Sequence, residues 1–146
     1  MPAPAIIWIH GDCLSPRNPI WAEYPRVPAV WVWDEELLQA WGISFKRLVF
    51  IYECLVELPL EIRRGNVIAE LNCFIQAHQA HEVITNPSPS PRFQAICQGL
   101  SVPVRLIVLP EFVKLPENPD LKRFSRYWNV AKPQLLQEFG NLRRLS

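Results

Sequence analysis

Five polar residues stand where apolar runs of this chain end, and their types suit the holding of a small ligand. His10 and Asp12 follow the run Ala5-Ile6-Ile7-Trp8-Ile9, and Asn18 precedes Pro19 in the same loop. Asp34 closes Ala29-Val30-Trp31-Val32-Trp33, and Asn86 follows Val83-Ile84-Thr85. An imidazole, two carboxylates and two amides can grip the polar edge of a bound molecule. Asp12 and Asn18 also have structural readings, which the sequence favours. Asp12 can accept loop amides, and Asn18 can cap a helix opened by Pro19. No nucleophile elbow, no G-x-G-x-x-G and no C-x-x-C occurs. His78-Gln79-Ala80-His81 has metal-ligand spacing, but no third ligand is placed, and His78 reads as a helix end favoured by the dipole. Catalytic and metal-ligating residues are therefore not assigned.

The elements that must position these groups alternate between strand and helix. Ala5–His10, Ala29–Trp33, Leu60–Arg63, His81–Thr85 and Pro103–Leu109 read as strands. Asp34-Glu35-Glu36 suits a short helix start. Ser44 suits the N-cap of a helix over Phe45–Leu58, which Pro59 ends. Val67–His78 and Arg92–Leu100 read as further helices. This order predicts an α/β fold: a three-layer, Rossmann-like, open and mostly parallel five-stranded sheet, with helices on both faces. Loops after the first strands of such a sheet lie at its carboxyl edge, where ligands bind. Beyond Leu109 the texture changes, and Asp120–Trp128 and Pro133–Leu145 read as two short helices. The expected organisation is an α/β domain over 1–119 and a C-terminal helical strap or connector over 120–146.

The chain has 146 residues, enough for one domain with a real core. Its net charge of +1 predicts no strong direct binding to nucleic acid. No apolar run is long enough to span a membrane. The start Met1-Pro2-Ala3-Pro4-Ala5 lacks the pattern of a signal peptide, so a cytoplasmic location is expected. Cys13, Cys54, Cys73 and Cys97 have mostly apolar neighbours and read as small buried core residues. Trp31 and Trp33 fall on one face of their strand and read as core, whereas an exposed Trp21 or Trp41 would mark a partner surface. The basic residues Lys122, Arg123, Arg126, Lys132, Arg143 and Arg144 read as a solvated face.

Several spacings resemble one family. Trp8-x3-Asp12-x5-Asn18-Pro19, Val32-Trp33-Asp34, Ser44-x2-Arg47 followed by Phe50 and Leu55, Arg63-Arg64-Gly65-Asn66, Val83–Asn86 and Phe124–Trp128 come in the order found in the N-terminal α/β domain of DNA photolyases and cryptochromes. The resemblance covers residues 5 to 128. It implies a domain that binds a light-harvesting antenna, a folate, deazaflavin or flavin, while a separate helical domain holds FAD and performs repair. A chain ending at Ser146 leaves no room for that FAD domain, so no catalysis is expected from it alone. Departures fall at the pocket. His10-Gly11 stands where the family carries two arginines, Leu14-Ser15 where it carries a basic residue, and Pro87-Ser88-Pro89-Ser90-Pro91 follows Asn86. The resemblance thus implies a kept scaffold with an altered pocket. The leading expectation is a non-catalytic, stand-alone domain acting through contacts with a protein partner or a second copy. The alternatives are a small-molecule or antenna binder using His10, Asp12, Asn18, Asp34 and Asn86, and a subunit of a split photolyase.

Overall fold

A computed structural model describes residues 4–111, 113–120 and 122–142, without the side chains of 138–142. The chain forms two compact units, Met1–Leu109 and Pro110–Ser146.

The first unit is the expected α/β sheet. Its strands are β1 (Ala5–Trp8), β2 (Ala29–Trp33), β3 (Glu61–Arg64), β4 (Glu82–Thr85) and β5 (Val104–Leu106), all parallel, in the order β3-β2-β1-β4-β5. The helices between them are α1 (Pro19–Glu23), α2 (Glu35–Ala40), α3 (Phe45–Val56), α4 (Val67–Ala77) and α5 (Pro91–Gln98). Strand alternation sorts the core into two faces. Ile6, Trp8, Val30, Val32 and Val83 pack under α4 and α5, with Leu71, Phe74 and Ile96. Ile7, Ile9, Ala29, Trp31 and Ile84 pack under α1 and α3, with Ile20 and Leu55. Such near-continuous apolar strands are what burial on both faces demands.

Local chemistry sets the helix ends. The Asn18, Asp34, Ser44 and Asn66 side chains each accept a backbone N–H from the first turn of the helix they precede. Past α2, Gly42 takes φ +55°, and Ile43 N–H donates to Leu38 O at 3.3 Å, closing a left-handed cap. Gln79 does the same job after α4 at φ +50°, with Ala80 N–H donating to Ile75 O at 2.9 Å. A side chain there is strained, so Gln79→Gly should stabilise the protein by about 0.5–1 kcal/mol. Urea unfolding monitored by circular dichroism checks this; an unchanged or lower midpoint would contradict it.

In the second unit, the two expected tail helices are one, α6 (Phe124–Leu142), with Pro133 inside it. Proline removes an N–H from a helix without always ending it. Here Gln134 fastens the neighbouring turn: its side chain accepts from Lys114 N–H and donates to Lys114 O, both at 2.9 Å. Leu121, Arg143, Arg144 and Leu145, on which parts of the tail reading fall, lie outside the described residues. The cysteine expectation also needs correcting. Cys13 is buried and Cys54 and Cys97 are half-buried, but Cys73 is exposed on the outer face of α4. No helix among the described residues is long and apolar enough to cross a membrane.

Candidate functional site

At the carboxyl edge of the sheet the loops after β1, β2 and β4 surround a cavity of about 330 Å³. The loop after β1 turns back over the α1/α3 face and the loop after β4 feeds α5 on the opposite face, so the two diverge and leave a crevice. α2 and Trp41 form a further wall. This size is at the lower end for small-molecule sites.

The floor is aromatic. Trp8 stacks on Phe93 with centroids 5.4 Å apart and planes at 10°, and His10 meets the edge of Phe93 at 5.3 Å. Trp33 and Trp31 meet edge to face at 5.4 Å on the same side of β2. Trp31 lines the cavity, and its indole N–H is buried without an acceptor among the described residues. An unpaired buried donor costs about 1–3 kcal/mol.

His10 is held from both ring nitrogens. Nε2 donates to Asn86 O at 2.8 Å, and Nδ1 accepts Asp12 N–H at 3.3 Å. That pattern requires the neutral tautomer with its proton on Nε2. Burial pushes the imidazole below its ordinary value, against the opposing pulls of the Asn86 carbonyl and the Asp12 charge. The unfolded chain therefore takes up a proton near pH 6.5 while folded His10 still resists it. In that window the unfolded state binds more protons, so His10 costs stability as the pH falls and costs none above it. His10→Gln retains an amide donor toward Asn86 and should flatten the loss of unfolding free energy between neutral and mildly acid pH. An identical slope in wild type and variant would contradict this role. Beside it, Cys13 donates to His10 O at 3.3 Å, and burial pushes its thiol up to about 12. Such a thiol is no nucleophile.

The remaining expected site residues divide. Asp12 is at the cavity rim, where Oδ2 accepts the Ser88 hydroxyl at 2.5 Å. Asp34 also lines the cavity, but both its oxygens are engaged. Oδ1 accepts Leu37 N–H at 3.1 Å, and Oδ2 pairs with the Arg92 guanidinium. Asn18 and Asn86 lie behind the wall rather than on it. The Asn18 amide donates to Asn86 Oδ1 at 2.5 Å, and Asn86 donates to Ile107 O at 2.7 Å. Both side chains are buried and tie the β1–α1 loop to the end of β4 and to the segment after β5.

Four contributors escaped the sequence reading. Arg92 reaches across to Asp34 from 58 positions away. Arg47 adds a second guanidinium to the lining. Ser88 and Ser90 bring hydroxyls from the proline-rich loop, which therefore walls the cavity. The alternation of proline and serine in that loop was the one available signal for the last pair. Among the described residues no group of His, Cys, Asp or Glu side chains is placed to hold a metal ion.

The site thus offers flat apolar walls and the Arg47 guanidinium, while Arg92 is paired with Asp34 and the Ser88 hydroxyl with Asp12. No family model matches this chain, and no curated protein matches it.

Proposed function

We propose that the α/β unit is a non-catalytic binding domain whose carboxyl-edge cavity holds a planar, anionic heteroaromatic molecule, of the folate, flavin or nucleotide class. The observation that carries this reading is the cavity itself: stacked aromatic side chains with the Arg47 guanidinium at the same lining. Aromatic faces take a ring, and the Arg47 guanidinium takes its anionic edge. Engagement of His10, Asp12 and Asp34 in structural bonds favours holding a ligand over transforming it. We further propose kinship with the N-terminal domain of photolyases and cryptochromes. The parallel order β3-β2-β1-β4-β5 and the Asn18-Pro19 helix start support it. The four free cysteines suit a reducing, cytoplasmic compartment.

The test is direct. The purified full chain is examined for absorbance in the near ultraviolet, and its melting is followed with folate, FMN and AMP. A bound chromophore, or a rise of roughly 5–10 °C at saturating ligand, is expected. A colourless protein whose melting none of the three changes would remove the reading.

A second reading, action through protein contacts, is favoured by apolar exposure on α3 and in the turn before it. Trp41 and Phe50 are each 61% exposed, and Phe45 is 79% exposed. Trp21 is different: it packs against the core and its indole donates to Ser15 O at 3.2 Å.

A further inference from the structure

Helix α3 has two apolar faces, and the sheet uses only one. Leu55 is fully buried and Ile51 packs beside it on the sheet. The other face carries Phe45, Val49, Tyr52 and Val56, which are 79%, 37%, 55% and 61% exposed. Their spacing of four, three and four residues is that of alternating d and a positions in a heptad. On a helix this makes a single stripe about 17 Å long. Scattered exposed apolar residues need no explanation, but an ordered seam does.

The charges beside the seam say what covers it. Lys46 and Glu53 both occupy the e position, with Glu57 just beyond Glu53 on the same flank. The opposite flank is half-buried Leu48 and buried Leu55. When two identical helices pair antiparallel about a two-fold axis, like flanks meet. Phe45 then falls opposite Val56 of the second copy, and Val49 opposite its Tyr52. The same register sets Lys46 across from Glu53 of the second copy, at both ends of the seam. Parallel pairing would instead set the charged flank against the Leu48 side, where no opposite charge waits. We propose that α3 is the seam of a two-fold, antiparallel homodimer, an inference that rests on the reading that this chain acts through protein contacts. The contact is isologous and closes on itself. Its apolar stripe supplies affinity, while the paired charges fix the orientation.

Sedimentation equilibrium of the full chain, from micromolar to submillimolar concentration, tests this. The mass should rise with concentration from 16.9 kDa toward twice that value. Val49→Glu should hold it at the monomer with unchanged far-ultraviolet circular dichroism. Lys46→Glu alone should weaken association by about tenfold, less so at high salt. Combined with Glu53→Lys it should regain wild-type affinity, which a merely structural Lys46 would not do. A monomer at every concentration, a dimer indifferent to Val49→Glu, or an unrescued charge reversal would overturn the proposal. Amide exchange in α3 separates its failure from that of the broader reading. If a monomeric wild type gains protection there in host extract, protein contacts stand without self-pairing. If α3 gains none, both fall.

Discussion

Asn86→Ala should lower the unfolding free energy by about 2–4 kcal/mol, the largest effect of any polar substitution near the cavity. The side chain is fully buried and bonds two distant segments, through Asn18 Nδ2 at 2.5 Å and Ile107 O at 2.7 Å. Truncation leaves the buried Asn18 amide and the half-buried Ile107 carbonyl without this partner, which costs more than the bonds themselves contribute. Asn18 would also lose the fixed orientation in which its Oδ1 accepts Ile20 N–H at 3.1 Å and caps α1. The melting temperature should fall by roughly 5–15 °C for a domain of this size. A double-mutant cycle with Asn18→Ala should give a coupling of about 1 kcal/mol or more, because one bond is shared. Independent, additive losses measured by urea unfolding would contradict this account of the pair.

Gly11→Trp should do the reverse: spare the fold and close the cavity. Gly11 lines the cavity, its φ is not in the left-handed region, and a Cβ there meets nothing within 4 Å. The root of a side chain therefore has space on this exposed loop, and stability should stay within about 0.5 kcal/mol of wild type. Filling the mouth with an indole should weaken binding of the preferred ligand by about a hundredfold, since lost stacking contacts and steric exclusion add. Matching unfolding curves alongside titrations of both proteins provide the comparison. Undiminished affinity would place the ligand elsewhere.

Local patterns reached far into this fold. Val30, Trp31 and Val32 mark β2 to the residue because a strand buried on both faces is apolar throughout. Ser44 and Asn18 mark their helix starts because capping is a contact between near neighbours. Proline at 133 misled, since a missing N–H ends a helix only when the turn has no other support. The site was legible in outline, because three of the five expected residues, His10, Asp12 and Asp34, meet at one cavity. Its wiring was not. Arg92 to Asp34, Ser88 to Asp12 and Asn18 to Asn86 join residues 58, 76 and 68 positions apart, and only the parallel crossovers bring them together. Nor does local sequence show which polar groups are already engaged. Asn86 reads as a ligand contact from its place after β4, yet in the fold its side chain is committed to backbone and to Asn18.

The carboxyl-edge cavity is proposed to hold a planar anionic ring against its tryptophans. Equilibrium quenching of tryptophan fluorescence in the full chain by FMN, folate and AMP tests it most directly, with Gly11→Trp, corrected for its added indole, as the blocked control. Saturable, one-site quenching of the wild type by at least one of the three is expected, and its loss in Gly11→Trp. Linear, unsaturated quenching by all three, identical in both proteins, would contradict it.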